Sequence, residues 1–183
     1  MPKIQTNKEE LVAKSTQVFL ENGYYHTTFA DLAKACGIEK SHFYYYFTDK
    51  RDLMNQCLLS FSKRIQKNVF DISMDKSLTP SQRIGKMLGY VWDLHTGNGY
   101  GCLFGNTLLE TVGKEPYFEE TIREFFDGWK NALSNLYSEV SITNLDETAF
   151  DDIEKLQGSI MLMRLYNDES ILKRAIKHIS DRF

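Results

Sequence analysis

The chain has 183 residues, of which 42% are hydrophobic and 13% aromatic. Such a composition supports a packed core and excludes wholesale disorder, and the length fits one large domain or two small ones. The net charge of −3 excludes broad, charge-driven nucleic-acid binding. The charge is unevenly divided, because residues 1–64 carry nine basic and seven acidic side chains and residues 65–183 carry thirteen and eighteen.

The three cysteines stand far apart, at Cys36, Cys57 and Cys102. An odd number without a C-x-x-C pair predicts neither a disulfide framework nor a zinc site and favours a reducing cytoplasm. The first twenty residues lack the apolar run of a signal peptide, and no stretch of about 18 apolar residues predicts a membrane span. We therefore expect a cytoplasmic protein with no membrane partner, no metal and no cofactor.

Apolar residues recur at intervals of three and four along most of the chain, which indicates helices rather than strands. Glycines at 23 and 37 favour helix ends, while Pro80 and Pro116 suit the first position of a helix. We expect an all-α fold of about nine helices. They are predicted at residues 7–21, 29–36, 40–47, 49–70, 80–95, 102–111, 116–137, 146–166 and 171–179.

Two of these helices begin at side chains that suit helix caps. Thr28 has Asp31 three residues on, as a partial capping box, and Asp49 has Asp52 in the same relation. The segment 71–79 is polar and precedes a proline. We expect helices to start at both caps and this segment to form a break.

The second and third helices are short and are joined by Cys36-Gly37-Ile38, a tight turn that ends in an apolar residue. This arrangement fits a helix-turn-helix, in which the second helix enters the major groove of DNA by its N-terminal residues. A short helix rich in Tyr and Phe is also typical of a bundle core. Periodicity alone leaves both interpretations open.

The sides of the third helix differ in residue type, and Phe43, Tyr46 and Phe47 are expected to pack inward. The side chains left outside are Lys40, Ser41, His42, Tyr44 and Tyr45. The lysine and the histidine suit base edges, the serine allows close approach, and the two tyrosines suit phosphates, as does the following Lys50.

One pattern runs without a gap from Thr27 to Leu53. Its matching positions are Thr28, Leu32-Ala33, Ala35-Cys36-Gly37-Ile38, Tyr44, Phe47, Lys50 and Leu53. It closely resembles the N-terminal domain of the TetR family of bacterial repressors. The family pattern has a Thr before the second helix, a Leu/Ile-Ala-x-x-Ala-Gly-Val turn, a Tyr-x-x-Phe run and a Lys before the fourth helix. The chain departs from it at His42, where Thr is common, and at Cys36, where Ala is common.

The resemblance implies a three-helix helix-turn-helix DNA-binding domain in residues 1–50 and a helical effector-binding and dimerisation domain in residues 51–183. It implies that Thr28, Tyr44 and Lys50 bind phosphates, while the other outer residues of the third helix face bases or nearby backbone. It also implies a ligand-responsive repressor that binds a double-stranded operator. Two further segments, 101–110 and 156–165, resemble the family less sharply, and one branch of it suggests a sensor of short-chain or reactive compounds.

The effector site is expected among side chains of the helices that follow the DNA-binding domain. The candidate pocket residues are Phe61, Trp92, His95, Cys102, Phe104, Leu108, Phe125 and Trp129. An aromatic stripe at helical spacing is also typical of an ordinary core. The cysteine follows a glycine at a predicted helix start, where the helix dipole lowers a thiol pKa, so a sensing thiol and a packed bystander both stay open. The identity of the effector stays open as well.

The penultimate helix is apolar on nearly all sides, which indicates burial on two sides. In a chain of this length we expect the second side to be a partner subunit, with a four-helix interface about a two-fold axis. The residues predicted for it are Leu156, Ile160, Met163, Leu172 and Ile176. The homodimer would bind a palindromic site with half-sites about one helical turn apart.

The motifs expected of an enzyme do not occur in the sequence. The glycines between 97 and 105 do not match G-x-G-x-x-G, the four histidines show no metal-ligand spacing, and no Gly-x-Ser-x-Gly elbow is present. We expect no catalytic residues. Two other interpretations stay open, a helical interaction module without a DNA role and an activator-type regulator without small-molecule control.

Overall fold

The computed structural model describes residues 7–97 and 100–183. Regular structure within these ranges is helical, and there are nine α-helices when short helical turns are merged with the helices that they continue. They are α1 (Lys8–Asn22), α2 (Phe29–Cys36), α3 (Lys40–Tyr46), α4 (Lys50–Ile65), α5 (Pro80–Thr96), α6 (Leu103–Thr111), α7 (Glu119–Tyr137), α8 (Leu145–Tyr166) and α9 (Ser170–Ser180). This confirms the predicted all-α class. None of these helices is long and apolar enough to cross a membrane.

The helix starts follow from local side-chain chemistry. Thr28 and Asp31 form a complete capping box at α2, and Asp49 accepts a hydrogen bond of 2.8 Å from the backbone N–H of Asp52 at the start of α4. Both predicted caps are confirmed. A cap of this kind contributes about 1 kcal/mol because it satisfies an N–H that the helix leaves unpaired.

Helix α4 does not end where the sequence predicts. It continues through a π-helical turn (Gln66–Phe70) into a last short turn (Asp71–Ser73), so the expected break begins three residues late. The π turn adds a residue to the helical repeat, and its last two residues, Val69 and Phe70, are both buried. The Phe70 ring lies against Gly128 of α7, where a Cβ would come within 2.6 Å of it.

The chain divides into two compact units. The first comprises residues up to Ser62 together with Leu103–Ile122, and the second comprises Lys63–Cys102 together with Arg123–Phe183. The functional division expected at residue 50, between a DNA-binding and an effector-binding domain, stays a prediction. The first unit extends beyond residue 50 because α4 contacts α1 and the start of α7: Cys57 donates to the carbonyl of Val12, and Asn55 accepts from the Thr121 hydroxyl at 3.1 Å.

The first unit packs around apolar side chains from each of its helices. Those exposed by 2% or less include Leu11, Leu32, Phe43, Phe47, Leu53, Met54, Cys57, Leu58, Phe104 and Phe118. Burial of each large apolar side chain contributes about 1.5–3 kcal/mol, so the core of this unit fixes the helices that carry the candidate site.

The second unit contains an ion pair between the buried Arg83 and the exposed Glu139. The guanidinium of Arg83 is 1% exposed and donates to both carboxylate oxygens of Glu139, at 2.9 and 2.6 Å, and to the carbonyl of Ser73 at 2.7 Å. Hydrogen bonds from Arg83 and Lys76 lower the pKa of Glu139 to about 2. This pair joins α5 to the end of α7, while the buried Asp152 carboxylate of α8 accepts from the Tyr137 hydroxyl.

Replacement of Glu139 with Gln tests this ion pair. The carboxylate has a folded pKa of about 2 against an ordinary 4.5, so its contribution to stability is fully present above about pH 4.5 and is lost as the pH falls towards 2. We expect Glu139→Gln to unfold at lower urea concentration than the wild type at neutral pH, and the difference to narrow below about pH 4.5. Glu154→Gln, on the exposed side of α8, is the control. An equal difference at neutral pH and at about pH 3 would contradict the assignment.

Candidate nucleic-acid interface

The turn between α2 and α3 holds the two helices in a fixed relation. Gly37 adopts a left-handed conformation with φ 69°, and the N–H of Ile38 donates to the carbonyl of Ala33 at 3.1 Å. Only glycine adopts this conformation without strain, so Gly37 closes α2 at low cost. The rings of Phe29 and Phe43 then stack with their centroids 5.4 Å apart.

Helix α3 separates into a buried side and an exposed side. Phe43 and Phe47 are fully buried and Tyr46 is half-buried. The predicted outer residues Lys40, Ser41, His42, Tyr44 and Tyr45 are all exposed. The structure therefore brings these five side chains together on the side of α3 that faces away from its core.

The two outer tyrosines differ in how firmly they are held. Tyr44 packs edge-on against Phe29 with a centroid distance of 5.1 Å, which fixes its ring near the start of α2. Tyr45 is 84% exposed and contacts the ring of Tyr46. Tyr44 thus presents its hydroxyl from a defined position, whereas Tyr45 extends into solvent.

Thr28 has a structural role at the start of α2. Its hydroxyl donates to the Asp31 carboxylate at 2.6 Å and accepts from the Asp31 N–H at 3.3 Å. Hydrogen bonds from Thr28 lower the pKa of Asp31. Thr28 is exposed, so the expected phosphate contact stays a prediction for a side chain that already caps a helix.

Lys50 lies against the loop between α1 and α2. Its ammonium donates to the carbonyls of Tyr24 and Thr27, at 2.8 and 3.0 Å, and lies 4.4 Å from the centroid of the Tyr24 ring. Burial lowers the pKa of Lys50. Two of its three N–H donors are thereby used within the protein, a feature that the sequence pattern did not reveal because it depends on contacts 23 and 26 residues away.

The eight residues predicted for an effector pocket belong to different units. Phe61, Phe104 and Leu108 lie in the first, where the two phenylalanine rings pack edge-on. The others lie in the second unit, and they are Trp92, His95, Cys102, Phe125 and Trp129. Phe125 and Trp129 both pack against Phe70.

Within the second unit, Trp92 and His95 line different cavities. Trp92 borders one of about 480 Å³ between α5 and α9, and His95 borders one of about 220 Å³ with Arg164 and Asn167. His95 is 7% exposed, and burial lowers its pKa to about 4. Cys102 is buried too. The described residues contain no group of three side chains suited to a metal ion.

The residues predicted for a dimer interface require correction. Leu156, Ile160, Met163 and Leu172 are buried within this chain, where α8 packs on α9, and only Ile176 is partly exposed. Buried side chains have no surface left for a partner. The exposed apolar residues of α8 are instead Phe150, Met161, Leu162, Leu165 and Tyr166.

Two models of known protein families match this sequence, one in its N-terminal part and one in its C-terminal part. Residues 11–57 match the model described as "Bacterial regulatory proteins, tetR family", and residues 82–179, more than half of the chain, match "Tetracyclin repressor-like, C-terminal domain". The chain belongs to the TetR family of DNA-binding transcriptional regulators.

Curated TetR-type relatives match over the greater part of this chain. The HTH-type transcriptional repressor DhaR of Mycobacterium sp. (strain GP1) is 30% identical over 67% of the chain, and the HTH-type transcriptional regulator YerO of Bacillus subtilis is 27% identical over 72%. The match spans 61% of DhaR and 47% of YerO, so this chain corresponds to part of their length.

Solved TetR structures share the fold. A TetR transcriptional regulator from Legionella pneumophila has a TM-score of 0.88 and 23% identity, with 97% of this chain and 98% of that chain covered. The reduced form of NemR from E. coli has a TM-score of 0.83 and 16% identity over 94% of each chain. At these identities the likeness concerns the fold alone.

The low pKa of His95 predicts an acid-sensitive step in the stability of this TetR regulator. The unfolded chain takes up a proton near pH 6.5 and the folded chain only near pH 4, so stability is lost as the pH falls through this interval. Between pH 7 and pH 5 we expect the wild type to lose about 2 kcal/mol more than His95→Gln. Urea titrations measure the loss, with His26→Gln at an exposed histidine as control. Equal losses in all three proteins would contradict the burial of a neutral His95.

Proposed function

We propose that this protein is a repressor that binds a palindromic operator as a homodimer and changes its DNA affinity when a small molecule binds to its second unit. The observation that carries the proposal is the exposed side of α3, where polar groups surround a helix anchored by Phe43 and Phe47. A helix held in this way presents its N-terminal residues to the major groove. The relative DhaR, which matches 67% of this chain, is a transcriptional repressor, and this supports repression as the regulatory effect.

The proposed contacts divide by chemistry. Lys40, Ser41 and His42 occupy the first turn of α3 and would meet base edges, where lysine donates to guanine and histidine donates or accepts. The phosphate contacts would come from Thr28, Tyr44, Tyr45 and the remaining N–H of Lys50. The net charge of −3 contributes little to DNA affinity. The affinity would instead depend on a few well-placed contacts, which a dimer makes twice.

The apolar side of α8 supports a second subunit. Met161 and Leu165 are four residues apart, as are Leu162 and Tyr166, and all four are exposed. A run of exposed apolar side chains on two adjacent helix stripes is typical of an interaction surface. A two-fold pairing would place the same stripes of both chains in contact, and two copies of α3 would then reach successive major grooves.

The second unit is the proposed effector-binding unit. It holds cavities beside Trp92 and His95, and it holds Cys102 next to the start of α6. Phe125 and Trp129 supply further aromatic surface. A neutral, buried histidine suits hydrogen bonding to an uncharged group of a ligand, because it keeps one donor and one acceptor at neutral pH. We further propose that the protein acts in the cytoplasm and has no catalytic activity.

Selection from random double-stranded oligonucleotides tests the DNA-binding proposal. We expect recovery of a palindrome, followed by gel-shift binding that weakens steeply with salt. Lys40→Ala should weaken binding by about tenfold and reduce the salt slope by about one unit, because one contact with a base or phosphate is lost. Lys155→Ala, in the second unit, is the control and should bind as the wild type does. Absence of sequence selectivity would favour a helical interaction module instead.

The dimer proposal is tested by a charge on the exposed side of α8. Leu165 is 71% exposed, so Leu165→Glu should leave the folded chain intact while it prevents burial of the apolar stripes in a pair. Sedimentation equilibrium should show a dimer for the wild type and a monomer for the variant at micromolar concentration. Met74→Glu places the same charge at another exposed apolar position of the second unit and should stay dimeric. A dimer that tolerates Leu165→Glu would place the interface elsewhere.

A further inference from the structure

A carboxylate from α6 contacts the loop that joins α1 to α2. Glu110 accepts a hydrogen bond of 3.1 Å from the backbone N–H of Tyr25, a residue 85 positions earlier in the chain. The same carboxylate lies directly over Gly23, where a Cβ would approach Glu110 Oε1 to 2.5 Å. Gly23 also has φ 80°, a conformation that favours glycine. Both this backbone conformation and the close approach of the carboxylate therefore require a residue without a side chain at position 23.

Lys50 holds the same loop through other atoms. Its ammonium binds the carbonyls of Tyr24 and Thr27, while Glu110 binds the amide between them. Burial lowers the pKa of Lys50, and the charges of Glu110 and Glu115 offset part of that effect. The peptide group between Tyr24 and Tyr25 is therefore bound by two side chains of opposite charge, with Lys50 at its carbonyl and Glu110 at its N–H.

This loop leads directly into the start of α2. Thr27 donates from its hydroxyl to the carbonyl of Gly23 at 2.6 Å, and the next residue, Thr28, is the N-cap of α2. Phe29 then stacks on Phe43 and meets Tyr44. A path of direct contacts thus leads from Glu110 through the loop and α2 to the exposed side of α3, and all of it lies within the first unit.

We propose that Glu110 is a positioning residue for DNA binding: it fixes the α1–α2 loop and through it the helix that meets the operator. The proposal rests on the proposed function. The positioning role predicts a change in DNA affinity opposite to the change expected from charge alone. Removal of a carboxylate from a DNA-binding unit should by charge alone strengthen binding to the phosphate backbone. Removal of Glu110 should instead weaken binding.

The test measures operator affinity for Glu110→Ala and Glu110→Gln at several salt concentrations. We expect Glu110→Ala to bind about tenfold to a hundredfold more weakly, because a charge-assisted hydrogen bond to the loop is lost. Glu110→Gln should lie between it and the wild type, since an amide oxygen still accepts from the Tyr25 N–H. Both variants should keep the salt slope of the wild type, because no phosphate contact is lost, which distinguishes them from Lys40→Ala.

Glu21→Gln is the matched control. Glu21 is an exposed glutamate near the end of α1 whose carboxylate accepts from Gln17 within the same helix. Its removal should leave affinity unchanged or slightly higher. Hydrogen exchange followed by mass spectrometry should show faster exchange in residues 23–28 for Glu110→Ala and no change for Glu21→Gln.

The outcomes separate this inference from the function on which it rests. Selective binding by the wild type that Glu110→Ala retains or strengthens overturns the positioning role alone. A steeper salt slope and tighter binding in Glu110→Gln would place the carboxylate beside the DNA phosphates, where it only repels them, and overturns the proposal as well. A wild type without selective DNA binding overturns the proposed function. If Glu110→Ala fails to fold, the isosteric Glu110→Gln decides by the same criteria.

Discussion

The burial of Phe43 and Phe47 beneath α3 is the constraint on which the candidate interface depends. These two side chains are four residues apart and lie on the same side of the helix, so their packing fixes the rotation of α3 about its own axis. Phe29 carries the same constraint to α2 through ring stacking. A helix of seven residues has little stability of its own, and it exists because this packing and the Gly37 turn hold it. The outer side chains are consequently placed by buried groups on the opposite side of the helix.

The parts of this arrangement that the sequence predicted are the local ones. The cap at Thr28, the glycine turn and the separation of Phe43 from Lys40 all depend on residues within a few positions of one another. The binding of Lys50 to the loop and the approach of Glu110 were not predictable in this way. Both involve backbone groups reached only after the chain has folded back, across 23 to 85 residues.

Helix α8 is a second case in which the apolar pattern of the sequence does not determine the packing. Its apolar residues surround most of the helix, which indicates two buried sides, but the pattern does not say which side the chain itself covers. The structure buries Leu156, Ile160 and Met163 within the chain, on a helix that packs against α9, and exposes Met161 and Leu165. The π turn in α4 is similar, because it ends at Phe70, whose ring lies against Gly128, a residue far along the chain that local periodicity does not reveal.

The discontinuous first unit has a consequence for how the protein is made. A ribosome releases α1 to α4 first, yet the side chains that complete their unit, Glu110 and Phe118 among them, follow more than forty residues after Ser62. Domains generally fold as units during synthesis, so the loop around Tyr24 lacks its final contacts until residue 122 has emerged. The intervening segment, 63–102, belongs to the other unit and also waits for later partners such as Glu139. Neither unit is completed before the other has begun, so the unit that carries the candidate nucleic-acid interface is complete only after most of the chain has been synthesised.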